Sequence, residues 1–360
     1  MGSVNAGKVV RVRGPRAVPV SAFVRALPKT QLHCHLEGTL RAETFRELAT
    51  RRGVESPRAA GPLEATYGFA TFRDFLLMFA EVCKTLQRPE DYARLAREYA
   101  ATAIAQRVRY AEIFISPSVW TFFHRELDVV ETVTAIRAAF DEAHASDGLE
   151  IELICDLTRN FGVERAFATA RTAVRLAEAN LGVIGIGLGG DEANYPAELY
   201  AEPFAFARAS GLHAVAHAGE AAGAASVRAA VEVLHAERIG HGVRALGDPA
   251  VVSLLAQRRI PVELCPTSNR LTGAVAAGVP HPIDELDRSG VICTVDADDP
   301  ELFSTTLEHE YDIVVALCGR ERLVRFARNG IDASFAPAER KSALHAGLAA
   351  AVASLETSPG

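Results

Sequence analysis

The chain has no apolar run long enough to cross a bilayer, which takes roughly 18–20 residues. It lacks an excess of basic residues: the net charge is −7, the reverse of what a protein built to hold nucleic acid needs. Lys8, Arg11, Arg13 and Arg16 make the start basic, but no apolar core or cleavage site follows, so a secretory signal is not expected. Gly2 is followed by Ala6 where a myristoylation signal wants Ser or Thr. None of the six cysteines (34, 83, 155, 265, 293, 318) forms a C-x-x-C pair, and several sit in apolar runs, so they read as buried thiols rather than a disulfide framework. No repeat, linker or low-complexity stretch marks a second domain. Together these absences point to a soluble cytoplasmic protein, with residues 1–27 an N-terminal extension and 28–360 one domain.

What the sequence does have is a rhythm. Residues 31–37 (QLHCHLE), 108–116, 150–158, 183–190, 213–220, 238–242, 261–268 and 291–298 are short, apolar and bounded by Gly, Pro or polar residues, as strands buried on both faces should be. Between most of them, at 127–145, 163–179, 226–235 and 248–258, apolar residues recur at helical steps. Eight strand–helix units predict an α/β fold, a TIM-type (β/α)8 barrel; an open doubly wound sheet shares the same grammar. The gap from 39 to 107 is too long for one connection and predicts a helical insertion after the first strand, over the C-terminal mouth. The Ala-rich stretch 338–355 predicts a closing helix, with Pro337 at its start.

Placing the polar residues on those strands gathers a constellation. His33 and His35 share one face of the first strand, with Cys34 turned away. His217 and Glu220 close the fifth strand, His241 the sixth, and Asp298 and Asp299 the eighth. In a barrel these ends converge on one mouth. Three imidazoles and a carboxylate suit one Zn2+ with a position left for water, whose pKa would fall toward about 7. Glu220 stands near enough to exchange protons with a substrate, His241 to hold the water, and Asp299 to bond a substrate nitrogen. The fourth strand has no Lys, so a second metal bridged by a carbamylated lysine is not expected. The plainer readings are an accidental His-x-His and a simple turn at Asp298-Asp299-Pro300. His213 is read as barrel core, and His124, His144, His235, His281, His309 and His345 as solvated or structural. Two motifs are decoys. The G-x-G-x-x-G in 185–190 is followed at once by Asp191 and Glu192, which would repel a phosphate. His235-Ala236-Glu237 lacks the P-C-x-x-C partner of the cytidine-type deaminases.

Pro28-Lys29, Gln31-Leu-His33-Cys-His35-Leu-Glu37-Gly38, His217-Ala-Gly-Glu220, Gly240-His241-Gly242, Cys265-Pro-Thr-Ser268-Asn269 and Asp298-Asp299-Pro300 resemble, in order, the adenosine deaminase family. The resemblance implies a zinc enzyme that hydrolyses the 6-amino group of a purine. His33, His35, His217 and Asp298 would hold the metal. Glu220 would protonate N1, His241 would orient the water and steady charge, Asp299 would meet N7, and the Gly190 backbone would meet N3. Glu37 stands where many relatives have an Asp that reaches the sugar. Phe114 replaces an Arg, Gly187 an Asp and Asp296 an Asn, a mixture that fits neither the adenosine nor the adenine subtype. The expected substrate is a purine nucleoside, adenosine or a 5′-modified relative such as 6-amino-6-deoxyfutalosine. Adenine, another amidohydrolase reaction, and a non-catalytic nucleoside-binding barrel are the alternatives. Phe72 and Phe75 would line the pocket from the insertion or serve as helix core; Trp120, Phe122 and Phe123 share that ambiguity. No nucleic-acid or membrane partner is expected, and the oligomeric state stays open.

Overall fold

The computed structural model describes residues 20–357, so the basic residues at 8–16 lie outside the described residues. Eight parallel strands run side by side in chain order: β1 (Lys29–Gln31), β2 (Val108–Ile115), β3 (Glu150–Thr158), β4 (Val183–Gly189), β5 (His213–Ala218), β6 (Arg238–His241), β7 (Val262–Leu264) and β8 (Cys293–Val295). The expected (β/α)8 barrel is what forms. Its two ends meet beyond the regular ladder, where Cys34 bridges Asp298 and the His35 and Asp298 amides each donate across the seam at 3.0 Å. Just below, a side chain stands in for a strand. The Asp296 carboxylate accepts the Leu32 and His33 amides at 2.6 and 3.1 Å, steadied by the Thr294 hydroxyl at 2.7 Å.

This seam explains why β1 is shorter than its apolar run. Residues 33–35 stay extended but pair through single bridges with Asp298 and Phe114 instead of a full ladder. β7 and β8 are also shorter than expected. Pro266 opens a helix, Pro266–Leu271, directly after β7, and Asp298 adopts a left-handed φ of 63° that ends the extended path after β8.

The insertion holds helices Ala42–Arg52, Phe72–Thr85 and Pro89–Ala105. Thr71 and Asp74 form a reciprocal capping box that fixes where Phe72–Thr85 begins. That start decides which aromatic faces reach the barrel mouth. Ala338–Thr357 closes the chain as expected. Among the described residues no helix is long and apolar enough to cross a membrane. All six cysteines are free.

His213 is not core. Its side chain is 39% exposed at the start of β5, pairs with Glu237 at 3.0 Å and lies flat on Phe335, centroids 3.8 Å apart. The strand enters the barrel here, so a polar ring can keep one edge in water.

Candidate active site

At the C-terminal mouth the predicted residues meet. His35 Nε2 lies 3.1 Å from His217 Nε2, and the Nε2 atoms of His33 and His35 each lie 3.5 Å from Asp298 Oδ1. Zinc bonds of about 2.0–2.1 Å in tetrahedral geometry separate ligand atoms by roughly 3.3 Å. These separations fit. His33 Nε2 is buried without a hydrogen-bond partner, as a nitrogen reserved for a metal would be. His241 is also near, but its Nε2 stands 4.0 Å from Asp298 and 3.6 Å from Glu220. His241 and Asp298 both hold a positive φ of 63°, strain that non-glycine residues keep where the surroundings fix their direction.

Burial sets the protonation of three of the four imidazoles. It pushes His35 down to about 3 and His241 to about 4, and with the neighbouring imidazoles holds His217 well below its ordinary value. His33 goes the other way: the Asp298 and Glu263 carboxylates outweigh burial and hold it well above its ordinary value, so a metal at its Nε2 would have to displace a proton, since ligand rings must be neutral. Asp298 and Asp299 split. Burial opposes ionisation of both, but His33, 3.5 Å away, with His241 and His35 around it, keeps Asp298 well below the usual carboxylate range. Burial and the adjacent Asp298 charge hold Asp299 well above it. Burial, reinforced by Asp298 and Glu192, lifts Glu220 to about 8. Glu220 and Asp299 are both shifted toward the protonated carboxyl, the form that can donate a proton.

They face a cavity of about 740 Å³ lined by His35, His217, Glu220, His241, Asp298 and Asp299 at its floor. Gly190 lines its wall, and Phe72 and Phe75 its outer part. Phe75 serves two purposes, since it also stacks on Phe303 at 4.8 Å. Phe122 and Phe123 line the cavity, whereas Trp120 is fully buried. Glu37 departs from expectation. It is fully buried and does not line the cavity: the turn Glu37–Thr39 aims its Oε1 at the Ser116 amide (2.9 Å) and the Trp120 indole N–H (2.6 Å).

The adenosine deaminase family model matches residues 28–351. The chain belongs to that family. With the family comes the enzyme class, a hydrolytic deaminase acting on a purine amino group. The chain is 38% identical to an aminodeoxyfutalosine deaminase of Streptomyces coelicolor over 89% of its length and 83% of the relative's. It is 36% identical to an adenine deaminase of Rhodospirillum rubrum, over 91% and 98%. The adenine deaminase structure from Arthrobacter aurescens superposes with a TM-score of 0.84 at 30% identity, over 91% of this chain and 99% of that one. A zinc-bound amidohydrolase from Burkholderia ambifaria gives 0.83 at 28%, over 97% and 99%.

As in any deaminase site of this kind, the reacting groups need support, and here sequence reading missed most of it. Behind His33, Glu263 accepts from Nδ1 at 2.7 Å, so Nε2 is the nitrogen left for a metal. Glu263 and Glu112 flank the buried Arg238 at 2.5 and 2.6 Å. The Glu192 carboxylate accepts four successive amides, Gly219 to Ala222, at 2.6–3.0 Å, and so fixes the loop that carries Glu220. Thus Glu192, one of the two acids after Gly190, has an internal use. Gly38 and Gly240 are obligatory: a Cβ would fall 1.8 Å from Asp299 Oδ1 at the first and 2.6 Å from His33 Cε1 at the second.

His281, read from sequence as solvated or structural, is buried and sets a tautomer. The Ile283 amide donates to its Nδ1 at 3.3 Å, so its Nε2–H donates to Asn269 Oδ1 at 3.1 Å. Asn269 Nδ2 then donates to His241 Nδ1 at 3.0 Å, which leaves the proton of His241 on Nε2, toward Glu220. A protonated Nε2 donates to an oxygen and cannot ligate a metal, which separates His241 from the other three rings. His281→Phe is expected to lower kcat roughly 10- to 100-fold with zinc content unchanged. Metal analysis beside steady-state kinetics checks this; an unaltered kcat would remove the relay from the argument.

Proposed function

We propose that the protein deaminates a 6-aminopurine nucleoside, adenosine or a 5′-modified relative such as 6-amino-6-deoxyfutalosine, with one Zn2+ per chain. His33, His35, His217 and Asp298 are the proposed ligands. The observation that carries the reading is the placement of two buried carboxyls, Glu220 and Asp299, at the floor of one cavity beside a donor set spaced for zinc. When bound there, zinc supplies a water activated at neutral pH, its pKa lowered to about 7.

Glu220 gives its proton to ring nitrogen N1, which draws electrons from C6 and opens it to attack. Asp299 donates its O–H to N7, and the Gly190 backbone meets N3, so the base is held at three edges. The His241 Nε2–H orients the attacking oxygen and stabilises the charge that develops on it. One proton of the attacking water passes to the 6-amino group, which leaves as ammonia, the other returns to Glu220, and the 6-oxo purine remains with the proton it received at N1.

Relatives named for adenine favour the free base as a second reading. The cavity favours a nucleoside, because about 740 Å³ lies high in the roughly 300–1,000 Å³ range of pockets that enclose a sizeable ligand. Ammonia release by zinc-loaded protein from adenosine, 2′-deoxyadenosine, adenine, 5′-methylthioadenosine, S-adenosylhomocysteine and 6-amino-6-deoxyfutalosine separates the readings. One strongly preferred nucleoside is the expected result. Turnover of adenine alone would hand the case to the second reading. No turnover with zinc bound would favour a nucleoside-binding barrel or another hydrolase.

A further inference from the structure

On β3, at Asp156, the structure holds a charged residue type that the deamination chemistry leaves unused. Asp156 is 4% exposed and lines the cavity. Its Oδ1 has no hydrogen-bond partner among the described residues. The nearby Arg159 guanidinium is turned elsewhere, to the carbonyls of Tyr195 (2.6 Å) and His217 (2.8 Å). A buried carboxyl without a partner costs stability, and such groups persist where a ligand completes them.

The neighbouring strand is shaped around it. A Cβ at Gly187 would lie 2.7 Å from Asp156 Oδ1 and equally close to the Phe114 ring, and one at Gly189 would lie 2.3 Å from Oδ2. Phe114 and the two glycines of β4 thus leave room for the Asp156 carboxyl and none for a larger side chain beside it.

Its position says which part of a substrate it meets. The groups assigned to the reacting edge of the purine follow β5, β6 and β8, with the imidazoles after β1. The β2–β3 arc of the cavity offers Ser116, Thr158 and Asn160 besides Asp156, none of them assigned to the base. Glu37, on this same side, is sealed away against Ser116 and Trp120. We propose that Asp156 is the specificity residue of this enzyme, taking a hydroxyl of the substrate's sugar in place of Glu37. This rests on the nucleoside reading above. Burial, with the Glu37 charge next, lifts the Asp156 carboxyl to about 8, so near neutrality it can both donate and accept, the two functions a hydroxyl partner uses.

The test compares adenosine, 2′-deoxyadenosine, 3′-deoxyadenosine and adenine on zinc-loaded wild type, Asp156→Ala and Asp156→Asn. Asp156→Ala should lower kcat/KM for adenosine roughly 10- to 100-fold more than for adenine, chiefly through KM, with Asp156→Asn recovering part of the loss. Equal losses on nucleoside and base, or none, overturn the proposal. If neither variant folds, wild type decides: loss of one sugar hydroxyl must cost a similar factor, and indifference to both overturns it. Calorimetric binding of purine riboside and purine runs alongside. Selective weakening of the riboside in Asp156→Ala supports the sugar contact even if no ammonia is released, and in that case only the deaminase reading falls. Failure of the wild type to bind the riboside defeats both.

Discussion

Glu220→Gln should abolish ammonia release while the protein still binds zinc. Glutamine keeps the shape and the hydrogen-bonding reach but has no proton to give N1, and general acid catalysis is commonly worth about 10²–10⁴ in rate. The residual rate should also lose a pH limb. With its carboxyl at about 8, wild-type Glu220 is in its donating form below that value, so activity falls as pH rises through it. The variant has no such group to titrate. Stability moves the other way. The folded pKa lies above the unfolded value of about 4.3, so folding takes up a proton, and the burial penalty grows as pH rises from that value toward about 8. Glutamine removes the penalty, and the variant should melt no lower than wild type, with its advantage widening across that window. Undiminished turnover in Glu220→Gln would take the proton-donor role from this residue.

The reaching groups were legible because their spacing carried the signal: an alternating His-x-His, then single polar residues at the ends of successive apolar runs. Barrel geometry alone brings such ends together. What surrounds them was hidden by the same logic. Glu112, Asp156, Arg238 and Glu263 each sit inside a strand-like run, where the apolar pattern carries the eye past one charge. A charge in a strand buried on both faces must be paired or must await a ligand, and that question was available from the sequence. The partners were not, since Glu112, Arg238 and Glu263 come from β2, β6 and β7. The His281–Asn269–His241 relay was hidden for a different reason. It depends on a backbone amide at Ile283 that fixes one tautomer, and no spacing rule encodes that. Glu37 misled because a family position predicts where a side chain starts, not which way a short turn sends it.

Arg238→Met should be the most damaging change away from the reacting groups. Arg238 is fully buried between two carboxylates, donates to the Ala333 carbonyl at 3.1 Å, and lays its guanidinium over Phe335 at 3.9 Å. Methionine fills the volume and leaves Glu112 and Glu263 facing each other without a cation. Breaking a buried pair from one side costs about 3–5 kcal/mol. The pH dependence has a definite sign. Burial opposes ionisation of Glu263, but Arg238 and His33 outweigh it and hold its folded pKa below the ordinary value. In wild type that contribution is complete above the unfolded value of about 4.3 and fades as pH falls through the folded one. Without Arg238, burial is expected to carry the folded pKa above the unfolded one. The contribution then becomes a penalty, largest near neutral pH and relieved on acidification. The gap in denaturation midpoint between variant and wild type should therefore narrow from pH 7 toward pH 5. A gap that is constant with pH would mean that lost packing on Phe335, not an uncompensated carboxylate, is the cause. Because Glu263 also orients His33, the folded variant should bind zinc roughly 10- to 100-fold more weakly, measured by competition with a chelator. Unchanged zinc affinity would separate the charge network in the barrel from the metal position above it.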